Sequence, residues 1–204
     1  MSKIISISRE FGSGGREIGF RLAQKLGIPF YDKELISLAS EDSNISVDIF
    51  HANDEVINNK EHLTPAYKRI DPFSPTYEIP VSDQLFVIQS KVIKQLAQNG
   101  PCVIIGRCSD VIVEDSIKVF ICASLKKRLE RLMALEEDPS VDAKRMETHI
   151  RTIDKKRKEY YQFYTGNEWG KPKNYDICLN SGSLGIEACV EIIVNILTKG
   201  DSLI

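Results

Sequence analysis

The chain's 204 residues hold 27 Lys and Arg against 29 Asp and Glu, for a net charge of -2, with 42% hydrophobic and 27% charged residues. That length suits one α/β domain with a sizeable core, and the near balance of charge gives no overall case for nucleic acid as a partner. No apolar run approaches the ~20 residues of a membrane span and the N-terminus lacks a signal-peptide layout, so a cytoplasmic protein with no membrane partner is expected.

Residues 3–7 have the short, apolar, β-branched character of a buried strand, and residues 16–26 space Ile18, Leu22, Ala23 and Leu26 as a helix closed by Gly27. Between them lies Gly12-Ser13-Gly14-Gly15-Arg16. A strand, a Gly-rich turn and a helix in that order set backbone N–H groups at a helix N-terminus, where they and the dipole can hold a phosphate. Two fingerprints compete for the turn. A dinucleotide site needs a third glycine where Glu17 stands, although Asp32 falls about where a ribose-binding acid would be. A P-loop needs Lys and a hydroxyl; Gly15 and Glu17 stand at those positions, and Arg16 is the available cation.

Residues 28–32 read as a short strand and 33–40 as a helix. From 41 to 80 the pattern weakens, with Pro65, Pro72, Pro75 and Pro80 interrupting a mostly polar stretch, the composition of a functional insertion or lid. Ser82 is the expected N-cap of a helix ending near Asn99, stopped by Gly100-Pro101. Cys102-Val103-Ile104-Ile105 is then a central strand ending in Gly106-Arg107, and residues 117–123 form another unbroken apolar strand. Continuously apolar strands separated by helices mean a parallel sheet covered on both faces, with ligands at the strands' carboxyl ends. Ser124 is expected to cap a helix through Glu136, a second helix to run over residues 142–164, a last strand over 175–179 and a closing helix over 186–197.

Basic charge collects in the second half: residues 144–158 hold seven basic side chains, outnumbering the acids, and Lys126, Lys127, Arg128 and Arg131 precede them. Arg151, Asp154 and Arg157 are three apart, so on a helix Asp154 neighbours both arginines and can hold either. The aromatics around Trp169 are expected to pack the root of this segment on the core. Five cysteines, an odd count with no C-x-x-C pair, argue against a disulfide framework, and His51, His62 and His149 are too scattered for a metal site.

Taken together, Ile4 through Gly19, Gly27-Ile28-Pro29-Phe30-Tyr31-Asp32, Cys102 through Arg107, Val119 through Ser124, Asp154-Lys155-Lys156-Arg157 and Tyr175 through Ser181 make the chain resemble the cytidylate kinase-like family of P-loop nucleoside monophosphate kinases. The resemblance implies a three-layer αβα core with a parallel sheet (about 1–40, 82–139 and 174–204), a monophosphate-binding insertion (about 41–81) and a basic helical lid (about 140–173). It implies ATP as co-substrate with Mg2+, and phosphoryl transfer to a nucleoside monophosphate, CMP or dCMP first. Gly12, Ser13, Gly14, Gly15 and Arg16 would hold the ATP phosphates, and Asp32, Arg107 and Asp110 the acceptor. Arg16, Arg128, Arg151, Asp154 and Arg157 would serve catalysis.

The chain departs from true cytidylate kinases at Gly15 and Glu17, at Asp32-Lys33-Glu34 with Ser37 and Leu38 in place of Tyr-Arg, and at Cys108, where an acid is expected. These departures bear on base specificity and leave open a kinase for another small acceptor, a nucleotide-binding sensor without catalysis, and an NAD protein resting on Gly12, Gly14 and Asp32 alone.

Overall fold

The computed structural model of the protein describes residues 4–43, 45–53, 55 and 80–200. Most of the expected insertion, residues 56–79, lies outside the described residues. Five strands, β1 (Ile4–Arg9), β2 (Phe30–Tyr31), β3 (Cys102–Ile105), β4 (Ile117–Cys122) and β5 (Ile177–Asn180), form one sheet in the order β2-β3-β1-β4-β5. Every pairing is parallel, with Ile7 opposite Ile105 on one side and Val119 on the other. The crossovers are α1 (Gly15–Leu26), α2 (Glu34–Ser43), α3 (Val47–Asn53), α4 (Val81–Gln98), α5 (Ser109–Ile112), α6 (Leu125–Met133) and α7 (Ala143–Thr165); α8 (Ser181–Leu184) and α9 (Ile186–Gly200) close the chain.

Strand alternation divides the core. Ile5 and Ile7 of β1, Val103 and Ile105 of β3, and Val119 and Ile121 of β4 meet Ile18 and Leu22 of α1 and Val190 and Ile193 of α9. On the opposite face Ile4, Cys102 and Ile104 meet Leu35, Ile36 and Ala39 of α2 and Leu85, Val92 and Ile93 of α4. Two covered faces explain why these strands read as continuous apolar runs. The three-layer αβα architecture expected from the sequence is what the chain forms.

The element ends differ from expectation where local hydrogen bonding decides them. Helix α4 starts at Val81 with Pro80 as its cap residue, so Ser82 lies buried inside the first turn and does not cap it. Ser124 does cap α6, accepting from the Lys127 N–H at 3.4 Å, but that helix stops at Met133, short of Glu136. Asp142 caps α7, accepting from the Arg145 N–H at 2.7 Å, and Gly166 ends it at φ 70°. Helices α3, α5 and α8 are short pieces without a readable period. The aromatic cluster packs as expected: Trp169 meets Phe120 edge-on at 5.4 Å, and Phe86 stacks on Tyr164 at 4.0 Å. All five cysteines are free, with Cys178 the exposed one on edge strand β5.

A central core position and a surface cap should differ clearly in weight. Ile105→Ala, at the fully buried end of β3, is expected to cost about 2–5 kcal/mol, and Asp142→Ala about 1 kcal/mol, in chemical denaturation of the two variants.

Candidate functional site

The turn after β1 folds as a cradle. Gly12 and Gly14 take left-handed backbone at φ 76° and 80°, and Gly14 is the cap residue from which α1 begins. A side chain on Gly14 would also run into Ile186 and Arg131, so neither its conformation nor its surroundings admit one. The turn's carbonyls are taken up by side chains of α6 and α8. Arg128 Nη1 donates to the Phe11 carbonyl at 3.2 Å, Arg131 Nη1 to that of Gly12 at 2.8 Å, and the Ser181 hydroxyl to that of Ser13. The first N–H groups of α1 have no intrahelical acceptor, and Gly15 and Arg16, which carry two of them, line a cleft.

That cleft has a volume of about 700 Å3 and lies across the carboxyl ends of β1 and β3. Gly12, Gly14, Gly15 and Arg16 line it, whereas Ser13 is fully buried beneath the turn. Arg16 Nε donates to Asp32 Oδ2 at 2.7 Å, and Arg107 Nη1 stands 3.7 Å from Asp32 Oδ1. Arg107 is buried to 1% side-chain exposure and sits at φ 54° between Gly106 at φ 71° and Cys108 at φ 56°. Three successive left-handed residues are a costly turn, of the kind that persists where a site needs it. The turn directs Arg107 back under the strand end, where its Nη1 also donates to the Ile105 carbonyl at 3.3 Å.

Helix α7 supplies the opposite wall. Asp154 accepts from the Phe11 N–H at 2.8 Å through Oδ1 and from Arg128 through Oδ2, so it braces the turn. Arg157 Nε donates to Glu55 Oε2 at 3.0 Å, its Nη1 donates to the Arg9 carbonyl at 3.2 Å, and its guanidinium lies 5.8 Å from the centre of the Phe11 ring. Glu55 Oε1 accepts from Arg9 Nη1 at 2.8 Å and from the Arg107 N–H at 3.2 Å. Burial pushes the Glu55 carboxyl up, but the charges of Arg9, Arg157 and Arg107 outweigh it and hold the group well below 4.5.

Most of the expected site residues converge here, and three are placed otherwise. Asp154 does not pair with its helix neighbours: Arg151 is exposed and bonded to Glu147 at 2.8 Å, one turn earlier. Asp154 instead holds Arg128 across the fold, while Arg151 is solvated and Arg157 is taken by Glu55. Asp110 is buried in α5 away from the cleft, where Oδ2 accepts from the Tyr161 hydroxyl at 2.6 Å and burial raises its carboxyl pKa. Ser13 offers no side chain to the cleft. Conversely, Arg9, Glu10 and Glu55 line the cleft, although none of them was singled out as a site residue from the sequence. Glu10 accepts from the Ala123 N–H at 3.0 Å and lies 3.6 Å from Arg128 Nε, and burial is the main cause raising its carboxyl pKa. Among the described residues no three His, Cys, Asp or Glu side chains converge as metal ligands.

Comparison with known proteins assigns the chain. The model of the cytidylate kinase-like family matches residues 4–183. The chain belongs to the cytidylate kinase-like family. A cytidylate kinase of Archaeoglobus fulgidus is 30% identical over 195 residues, covering 93% of this chain and 92% of that protein. Among solved structures, an uncharacterised protein from Eubacterium ventriosum is 25% identical at TM-score 0.69, covering 96% of this chain and 98% of that one. A shikimate kinase from Bacteroides thetaiotaomicron shares the fold at TM-score 0.58 and 16% identity, covering 97% and 99% of the two chains. In this member of the cytidylate kinase-like family, the cradle and the arginines occupy the carboxyl edge of a sheet in the same kinase-type fold.

Two measurements test the electrostatics. A double-mutant cycle on Arg128→Ala and Asp154→Ala should return a coupling energy of about 1–3 kcal/mol by chemical denaturation, because the pair is largely shielded and closes the turn. Glu55, with its folded pKa depressed, contributes stability that is complete above its ordinary value of 4.5 and is lost as pH falls from there toward the folded value. The stability gap between wild type and Glu55→Gln should therefore be flat from pH 5 to 7 and shrink below about pH 4.5 in thermal scans.

Proposed function

We propose that the chain transfers the terminal phosphoryl group of ATP to a nucleoside monophosphate, with CMP and dCMP as first candidates. The observation that carries this reading is the cleft itself: a glycine cradle presenting helix-terminal N–H groups, faced by the guanidinium groups of Arg9, Arg16 and Arg157. Phosphoryl transfer asks little covalent chemistry of a protein and much positioning and positive charge around three oxygens. Both are present before a ligand arrives. Family membership and the name of the Archaeoglobus relative support nucleotide kinase chemistry and the cytidine choice.

In this proposal the N–H groups of Gly12 to Arg16 take the ATP phosphates. The structural fit is the cradle that only glycine can form at position 14. Arg107 and Asp32 orient the acceptor, Arg157 answers negative charge where acceptor and transferred group meet, and Arg128 with Asp154 keeps the turn in register. Arg151, exposed on α7, can join only through a rearrangement of that helix. Asp110 acts from a distance by fixing α7 to α5 through Tyr161. Mg2+ enters as part of the ATP substrate. Gly15, Arg16 and Glu17 stand where a P-loop has its lysine and hydroxyl, so no side chain is assigned to the ion and no step is routed through it. The residues 41–81 would form the acceptor-binding insertion and 140–173 the lid. Five free cysteines suit the reducing cytoplasm, where this reading sets the reaction.

The test is ADP release from ATP and Mg2+ with CMP, dCMP, UMP, AMP and GMP in turn. Turnover with the cytidine nucleotides, reduced roughly 10³-fold in kcat by Arg157→Ala, is the expected result. Saturable nucleotide binding without turnover on any acceptor would overturn the kinase reading and favour a nucleotide-binding sensor.

A further inference from the structure

The Glu55 carboxylate is bound as a ligand would be. Its donors come from three separate segments: Arg9 at the end of β1, the Arg107 N–H in the turn after β3, and Arg157 on α7. Both oxygens are engaged, and the group lies on the cleft wall at 13% side-chain exposure. The turn is shaped around it, since a side chain on Gly106 would strike both Arg9 and Glu55. Asp154 makes the useful contrast. It too holds an arginine, but it is spent on the Phe11 N–H and does not line the cleft, so it braces the turn and has no competitor for its place.

Two features make the seat of Glu55 a poor final state for this cluster. One singly charged carboxylate is shared by two guanidinium groups, Arg9 and Arg157, whereas a phosphate monoester brings two charges and an additional oxygen. Glu55 also holds its place with left-handed backbone at φ 52°, a conformation that L side chains seldom adopt. A group of weaker charge in strained backbone is displaceable by a better-matched anion from the same cleft.

We propose that Arg9, Arg157 and the Arg107 N–H form the subsite for the doubly charged oxyanion of the acceptor, and that Glu55 fills this subsite in the unliganded molecule as an internal competitor. The inference rests on the kinase reading for the identity of the anion as the acceptor's phosphate. Its consequence is selectivity by charge. An acceptor has to bring an oxyanion strong enough to replace Glu55, and a neutral acceptor such as a nucleoside leaves the arginines engaged internally. The apparent affinity for the anion is reduced by the fraction of molecules in which Glu55 occupies the subsite.

The experiment is calorimetric titration of inorganic phosphate into wild type, Glu55→Gln and Glu55→Asp, each with ADP saturating the glycine cradle. Glu55→Gln should bind phosphate about tenfold more tightly than wild type, as expected if the competitor holds the subsite nine-tenths of the time. Glu55→Asp keeps the charge with a shorter reach, so it should give a smaller gain and still report if the glutamine variant does not fold. Adding Arg157→Ala to either variant should remove the gain, which places the bound phosphate at this subsite and not in the cradle. Phosphate binding that is unchanged or weaker in the position 55 variants would overturn the proposal and make Glu55 a permanent organiser of the arginines. The two readings fail separately. A phosphate gain without turnover on any acceptor rejects the kinase reading alone, and turnover without a phosphate gain rejects the competitor alone.

Discussion

Shielded positive charge needs a counter-charge close by, and the cleft depends chiefly on three carboxylates that supply it. Asp32 serves Arg16 and Arg107, Glu55 serves Arg9 and Arg157, and Asp154 serves Arg128. Removing one partner from such a pair costs more than the pair contributes, because the remaining ion keeps its desolvation penalty. Arginine geometry at this edge of the sheet is therefore fixed by acids drawn from three other segments. The glycine turn inherits the same constraint, since Arg128 and Arg131 hold its carbonyls and Asp154 holds the Phe11 N–H.

One helix joins the two halves of this arrangement. Near its centre α7 carries Asp154 and Arg157, and on the C-terminal side Tyr160 and Tyr161 are buried against Cys108, Phe86 and Trp169. The Tyr161 hydroxyl donates to Asp110, and burial pushes that phenol far above its ordinary range, so it remains a donor at any physiological pH. The N-terminal turns are packed as well, with Met146 and Ile150 buried beneath the exposed Arg145 and Arg151. Packed on both sides of its centre, the helix holds Asp154 against the Phe11 N–H and Arg157 against Glu55.

The fold was legible because its signals are local. The strand–glycine–helix order at the N-terminus, the apolar runs of β3 and β4, and Gly27 as a helix end each follow from a few adjacent residues. Arg107 was legible for the same reason, standing after a glycine at a strand end. Glu55 was not. It belongs to a polar stretch with no period, and its partners lie 46, 52 and 102 residues away. Asp154 was read as a site residue with other partners, because helix spacing reports neighbours in sequence and not an arginine on another helix. Asp110 follows Arg107 closely in sequence, yet the left-handed turn at Arg107 and Cys108 carries it into the core.

The substitution of the P-loop lysine has a structural consequence that charge counting misses. An ammonium group on a flexible stem can curl back over the turn that bears it, whereas a guanidinium is a planar fork that binds sideways. Arg16 binds sideways, reaching Asp32 at 2.7 Å with its guanidinium 5.8 Å from the centre of the Phe30 ring, and it keeps 60% side-chain exposure. It also stands in the first turn of α1, where the helix dipole disfavours a cation. Asp32 therefore does two things at once: it compensates a cation in an unfavourable position and draws that cation toward the Arg107 side of the cleft. Charge that a lysine would concentrate over the glycine turn is instead spread along the walls, on arginines of β1, of the turn after β3 and of α7. The placement of positive charge in this cleft is accordingly set by the acids that hold those arginines as much as by the arginines themselves.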